Sequence, residues 1–479
     1  MRADVLDAVV TPALAAGVQS PLVRDAYAAR LRVADRQLAR GRHAAAAASY
    51  DAALRIAFHR VLHFDAGTSP LADDPAGYTE PLRSSAVAQA VAAPRGRDAT
   101  VVGPRGDGDV RLTIATVRNA DFLPEVRAHF ADRPGYETRF VDVFETDVVD
   151  GKAVLRATGP LIGRVLAGEP PVDAAAEAGL RTLVDGADVL FVEWCTALAV
   201  LVGAVDTRGT RVVVRVHAFE PFTRWPQLVD FSRVDDVVFV SDHLRDLTVA
   251  AVPGLSGAYA PRLHVIANAM DLRSRVRPKP DDSRFTLALI GAGKVVKDPR
   301  WAVEVLRRLR ETDERYRLLL VGSAFQDDKS PAEVEYAAAL RADLAELGDA
   351  VEVVPFTDDV PAVLERVGVV LSTSSRESFH VGLVEGAASG AVPVVRDWPF
   401  FPGAAARLFG DDWVVGSPEE AARRVLDLTA DDGTWRRAGA DASARVVDRW
   451  DWTTVSREFE RLLVPLPGAG QVADGTSEA

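Results

Sequence analysis

From Val110 onward, short apolar runs recur between segments of helical composition, and they do so in two series. The first series holds Leu112–Val117, Thr138–Val143, Val189–Glu193, Arg211–His217, Asp236–Val240 and Leu263–Ile266. The second holds Thr286–Ile290, Tyr316–Val321, Ala350–Val354, Val367–Leu371 and Ala391–Val395. Runs such as Val212-Val-Val214 show no polar alternation, which is the mark of strands buried on both faces. Strands separated by helices must be joined by crossovers, so each series predicts a parallel, doubly wound sheet. The segment between them, Asn268 to Arg284, is rich in Pro, Lys, Arg and Asp, a hinge composition. The expected fold class is α/β, with two Rossmann-like doubly wound domains, 110–273 and 284–449, facing a cleft. An amphipathic helix over 450–463 is expected to cross back and complete the first domain.

The chain before Val110 reads differently. Over residues 1–68, Tyr27, Leu31, Leu38, Tyr50, Leu54, Phe58 and Leu62 recur at helical spacing, and Gly41 divides the run into an antiparallel helical hairpin. One such unit cannot bury its apolar face alone, so it is expected to dock on the rest of the chain or on a partner. Arg32, Arg36 and Arg40 share a helical face; a solvated face is preferred over a membrane or partner contact, which stays open. Residues 69–109, dense in Pro, Gly, Asp and Arg, read as a linker, and 464–479 as a disordered tail. The linker contains Asp107-Gly-Asp109, a metal-binding spacing in some transferases, but no strand precedes it. The expectation is a loop and no metal.

Composition narrows the function classes. A formal charge of −13 over 479 residues argues against a nucleic-acid partner. The single cysteine, Cys195, excludes an internal disulfide and suits a cytoplasmic setting. No leader or membrane span is read: Glu193 interrupts the most apolar stretch.

The chemistry concentrates in Ser375-Arg-Glu-Ser-Phe-His-Val-Gly-Leu-Val-Glu385-Gly-Ala-Ala-Ser-Gly390. A strand feeds it, a helix fills it and a second strand leaves it, so its loop lies at the carboxyl edge of the sheet. The unpaired N–H groups of that helix start attract phosphate. Glu377 and Glu385, with seven residues between them, flank the start. A carboxylate beside an anion site needs hydroxyls to hold, such as those of sugar or ribose, and a nucleotide-sugar offers both. Two further stretches end strands at the same edge. Gly291-Ala-Gly293-Lys-Val-Val-Lys297 is a glycine-rich turn carrying Lys294 and Lys297; Val296 where a third glycine belongs argues against a dinucleotide fingerprint. Val213-Val-Arg-Val-His217-Ala-Phe-Glu220 delivers His217, with Arg215 and Glu220 as a supporting pair. Glu193 ends another strand, either facing an acceptor hydroxyl or capping the next helix.

This pattern resembles the Glu-x7-Glu motif of retaining GT-B glycosyltransferases, particularly glycosyltransferase family 4. The resemblance implies the GT-B fold, with Glu377 against the donor sugar and Glu385 on the ribose. It implies that the amides from Phe379 through His380, Val381 and Gly382 to Leu383 hold the diphosphate. Gly291, Gly293 and Lys297 match the family's phosphate loop; Ala292 stands where family members carry Arg, so Lys294 is the expected substitute. His217 would lie beneath the donor sugar. Ser378 and His380 depart from the family's glycines. Arg118 and Asn119 stand where many members have a Gly-Gly turn, and are weak acceptor-site candidates. The resemblance spans about residues 110–465, leaving the N-terminal helices outside.

The implied activity is metal-independent transfer of a sugar, with retention, from a nucleoside-diphosphate-sugar co-substrate to a glycan, lipid-linked or other acceptor, such as a cell-envelope or exported glycan precursor. No other cofactor is implied. The expected setting is cytoplasmic, at most peripheral at the inner face of the membrane through the N-terminal helices. A nucleotide-sugar epimerase on the same fold and a non-catalytic relative that recruits an assembly partner are the rivals.

Overall fold

The computed structural model describes residues 2–65, 67–97, 108–145, 151–156, 158–325 and 330–464. Asp107 and all of the expected tail beyond Val464 lie outside these residues.

Two six-stranded sheets carry the molecule, and every strand pair in them is parallel. The first comprises β1 (Val110–Thr116), β2 (Tyr136–Asp142), β3 (Val189–Glu193), β4 (Arg211–Val216), β5 (Asp236–Phe239) and β6 (Arg262–Val265), in the order β2-β1-β3-β4-β5-β6. The second comprises β7 (Thr286–Ile290), β8 (Arg317–Val321), β9 (Val351–Val354), β10 (Val369–Ser372), β11 (Val392–Arg396) and β12 (Val414–Val415), in the order β12-β11-β10-β7-β8-β9. The eleven expected strands form within two residues of their expected bounds. β12 is an addition: two residues on a sheet edge make no apolar run. β3 and β4 are buried along their whole length, as expected of runs covered on both faces. In the second sheet the chain leaves β7 toward β8 and β9, then returns to place β10 on the other side. The carboxyl ends of β7 and β10 therefore mark the switch point where such sheets open a ligand crevice.

The closing helix, Trp452–Leu462, packs Val455, Phe459 and Leu462 against Ile114, Phe191 and Val213 of the first sheet. Arg211 ties its end down, donating from Nη1 to the Val464 carbonyl at 2.5 Å.

The N-terminal part is larger than a hairpin. Helices Val23–Leu38 and His43–Ala57 pack antiparallel around Gly41 as expected, with Tyr27 and Tyr50 buried between them. A further helix, Arg2–Ala15, precedes them. The expected linker is also helical for half its length, with Pro70–Asp73, Pro75–Ser84 and Ala86–Val91 in series. The residues that read as turn formers are helix starts: Ser69, Asp74 and Ser85 accept from backbone N–H groups as N-caps, and Pro70 and Pro75 occupy first-turn positions. The apolar face of this layer is continuous with the core beneath the first sheet, where Leu190, Val192 and Val212 lie. Arg32, Arg36 and Arg40 are exposed.

Candidate functional site

The loop after β7 (residues 291–298) and the loop after β10 (373–380) are laced together at the switch point. Ser375 N–H donates to the Val296 carbonyl at 2.8 Å and Thr373 Oγ1 to the Lys297 carbonyl at 2.5 Å. Gly293 is required here, because a Cβ at that position would lie 1.8 Å from the Ser323 carbonyl oxygen. The lacing brings Lys297 onto Glu377: Nζ donates to Oε1 at 2.5 Å, and Ser374 Oγ donates to the same oxygen at 2.6 Å. Burial pushes the Glu377 carboxyl up, but Lys297, His380 and Ser374 outweigh it and hold the group at about 2. Glu377 is thus an anion fixed at the mouth of the loop.

The helix that follows, Val381–Ala388, is capped by His380 in the left-handed region, φ +65°. His380 Nδ1 lies 2.6 Å from Ser372 Oγ, which accepts from Trp398 Nε1 at 3.4 Å. Nε2 is buried without a partner among the described residues. Burial, reinforced by Lys297, drives this imidazole down to about 3, so it is neutral. The helix lies close on the sheet through Gly382, where a Cβ would stand 2.7 Å from Ile290 Cβ. Glu385, about one turn into the helix, pairs with Arg275 Nη2 at 3.1 Å. Burial raises its pKa against the pull of that arginine.

Several expected donor contacts are used otherwise. The side chains of Phe379 and Leu383 pack in the core, Phe379 meeting Trp450 edge-on at 5.3 Å, whereas the expectation concerns their amides. The Leu383 N–H donates to the His380 carbonyl at 3.2 Å, and the N–H groups of Gly291 and Ala292 both donate to the Val321 carbonyl. Val381 and Gly382 keep the first-turn amides that lie outside the helical ladder. Lys294 parts from Lys297: it is exposed and lines a different cleft, against Arg60, Asp65 and Glu333.

Across the cleft, His217 directly follows β4, beside the end of β3. His217 Nε2 meets Glu193 Oε1 at 2.8 Å, while its ring lies 4.7 Å from Phe122, stacked, and 4.1 Å from Trp194. Glu193 and Arg215 are register partners on adjacent strands, with Arg215 Nη1 3.5 Å from Glu193 Oε1. Glu193 therefore neither caps the next helix nor stands open to an acceptor; its side chain is fully buried in this triad. Burial raises the Glu193 carboxyl, but Arg215 and His217 bring it below its ordinary value, and burial lowers His217. The pair is carboxylate and neutral imidazole. The expected Arg215–Glu220 pair is replaced: Arg215 turns to Glu193 and to Asn268 (Nη2 to Oδ1, 2.9 Å), and Glu220 accepts from the N–H groups of His217, Phe219 and Cys195. Arg118 stacks over Phe144 with φ +59°, and its N–H donates to Asp142. The Asn119 carbonyl accepts from Trp194 Nε1 at 3.0 Å and Thr116 Oγ1 at 2.6 Å, so it shapes the wall beside His217.

Two residues at the site escaped the sequence reading. His243 reaches across from the first sheet's side and donates from Nε2 to the Glu377 carbonyl at 2.8 Å. Its signal was its place, two residues after Ser241 at the start of the helix following β5. Arg376 precedes Glu377 and is nearly buried, yet among the described residues no ion pair holds it. Its Nη1 donates to the His63 carbonyl at 2.6 Å, and its guanidinium lies 4.8, 4.6 and 5.3 Å from the rings of Phe64, Phe222 and Phe400. The N-terminal helices, the first sheet's loops and the second sheet's loops meet on this one side chain. Among the described residues, no three His, Cys, Asp or Glu side chains gather to hold a metal ion.

Two parallel six-stranded sheets facing each other across this cleft define the GT-B fold. Residues 284–431, which carry both laced loops, match the family model described as Glycosyl transferases group 1. A GDP-mannose:cellobiosyl-diphosphopolyprenol alpha-mannosyltransferase of Xanthomonas oryzae pv. oryzae is 28% identical over 203 residues, 40% of this chain and 50% of its own. The chain thus spans about half the length of the curated relative it matches. Among solved structures, Anabaena Alr3699/HepE in complex with UDP and glucose superposes with a TM-score of 0.55 at 16% identity, covering 74% of this chain and 99% of its own. Sucrose-phosphate synthase from Thermosynechococcus elongatus gives 0.51 at 14% identity, covering 74% and 98%. At those identities the likeness is one of fold.

Proposed function

We propose that this protein is a glycosyltransferase that moves a hexose from a nucleoside diphosphate donor to a saccharide-bearing, glycan or lipid-linked acceptor, without a metal and with retention. The observation that carries the reading is the Glu377–Lys297 pair at the start of the Val381–Ala388 helix, inside the region that matches the glycosyltransferase family model. In this reading Glu377 accepts from the donor sugar's hydroxyls and Glu385 binds the ribose. Lys297 and the amides of Val381 and Gly382 take the diphosphate. Fixed positive groups there stabilise charge developing on the leaving diphosphate without reorganising. The Xanthomonas relative's name specifies a GDP-mannose donor and a polyprenol-diphosphate acceptor, and HepE was solved with UDP and glucose; both support a nucleotide hexose. Among the described residues no helix is long and apolar enough to cross a membrane. A cytoplasmic site, with any membrane contact made peripherally through the N-terminal helices, is part of the proposal.

The test separates the two glutamates. Glu377→Ala lowers kcat and leaves calorimetric affinity for the sugar-free nucleoside diphosphate near wild type; Glu385→Ala weakens that affinity. The reverse pattern refutes the placement of the donor. One observation favours a second stereochemical reading: the carboxylate–imidazole pair of Glu193 and His217 is the arrangement of a general base. If His217 deprotonates the acceptor for attack from the far face, the product is inverted. The anomeric configuration of the product, read by NMR, decides between them.

A further inference from the structure

We propose that the cleft between the N-terminal helices and the 291–297 loop is a saccharide subsite for the acceptor, an inference that rests on the glycosyltransferase reading. The cleft holds about 410 Å³, within the ordinary range of about 300–1,000 Å³ for small-molecule sites. One wall is Arg60, Phe64 and Asp65; the other is Lys294, Glu333 and Arg376. It adjoins the reaction centre, because Arg376 is the residue before Glu377.

The lining selects the ligand. Three cations (Arg60, Lys294, Arg376) and two carboxylates (Asp65, Glu333) line the cleft, and Arg60 already pairs with both carboxylates, at 2.8 Å to Asp65 and 3.5 Å to Glu333, so the lining offers donors and acceptors together rather than one sign of charge. A hydroxyl donates to a carboxylate and accepts from an ammonium or guanidinium, so a polyol answers both signs. Phe64 and the backbone-proximal Val295, Val296 and Ala324 supply an apolar surface for the C–H face of a ring. Asp65 points to a missing partner. Its side chain is 3% exposed, Oδ1 accepts from Arg60 Nε and Nη2 at 3.1 and 2.8 Å, and Oδ2 has no hydrogen-bond partner among the described residues. An unsatisfied buried carboxylate oxygen is costly; Arg60 holds only Oδ1, and its Nη2 also lies 3.5 Å from Glu333 Oε2 across the cleft. A sugar hydroxyl entering there completes the Asp65 shell. This also accounts for Lys294: an exposed lysine on the glycine-rich turn, 3 residues before Lys297, that lines this cleft.

The experiment uses the full chain and cellobiose as the neutral saccharide probe, with inorganic phosphate as the anionic one. Ligand-detected NMR titration is run on wild type, Asp65→Asn and Glu333→Gln, one variant from each wall. Expected is millimolar cellobiose binding to wild type, weakened tenfold or more by each variant, with little phosphate binding. Nucleoside diphosphate affinity, measured on the same samples, serves as the folding control. Absence of cellobiose binding in wild type, or equal binding in both folded variants, or preference for phosphate, overturns the proposal. Wild type that binds cellobiose but no nucleoside diphosphate sinks the glycosyltransferase reading, and with it the acceptor role of the cleft.

Discussion

Arg376→Met puts the junction of three structural parts to the test. The guanidinium's hydrogen bond to the His63 carbonyl, at 2.6 Å and charge-assisted, is worth about 1.5–3 kcal/mol. Its desolvated approach to the rings of Phe64 and Phe222 adds about 2 kcal/mol. Against this stands burial, which lowers the Arg376 pKa to about 10; at about 1.4 kcal/mol per unit this opposes by about 3 kcal/mol. The net contribution of the arginine is then about 1 kcal/mol. Methionine keeps much of the bulk but orphans the His63 carbonyl, adding about 1–3 kcal/mol for an unsatisfied buried group. The docking of the Arg60–His63 helix weakens by about 2–4 kcal/mol, so its opening becomes about 30- to 900-fold more frequent. Native-state hydrogen exchange reads this at the Leu62 and Phe64 amides, which donate to the His59 and Arg60 carbonyls, with β8 as an unaffected control. The 373–380 loop loosens with it, and Arg376→Lys falls between wild type and Met. Exchange at Leu62 and Phe64 unchanged within threefold in Arg376→Met refutes the claim that this side chain joins the N-terminal helices to the glutamate loop.

Lys297→Ala is expected to weaken nucleoside diphosphate binding at least tenfold by calorimetry and Lys294→Ala less than twofold, because only Lys297 reaches Glu377; equal effects would return Lys294 to the diphosphate. Acid should destabilise the fold in two steps. His380, neutral with its folded value near 3 against 6.5, loses stability as pH falls below 6.5, and Glu377, near 2 against 4.5, loses it below 4.5. Between pH 7 and pH 4 the histidine alone accounts for on the order of 3 kcal/mol, so urea midpoints of His380→Gln should depend less on pH than wild type; parallel curves contradict the assignment. Turnover is expected to survive EDTA, and restoration of chelated enzyme by manganese would show a metal requirement.

The sheets were legible in the sequence because a parallel strand covered on both faces has to be apolar throughout, and that pattern is local. The same holds for the loop between β10 and its helix: the order strand, turn, helix start is enough to set Glu377 and the first-turn amides at a sheet edge. The helices over 70–91 were hidden by their own caps, since Ser69, Pro70, Asp74 and Pro75 mark a turn and a helix start with the same residues. What the tertiary structure alone decided was pairing. Lys294 and Lys297 are equivalent by composition, and only the hydrogen bonds between two loops some eighty residues apart turn one onto Glu377 and the other into a second cleft. Glu193 found Arg215 and His217 because parallel strands β3 and β4 set their ends side by side. Arg376 carries no signal of its own in the sequence, because the carbonyl and ring that close over it belong to the N-terminal helices, far away in the chain. Local chemistry writes strands, turns and helix starts into neighbouring residues; which side chains meet depends on contacts between distant segments, and no local pattern encodes those.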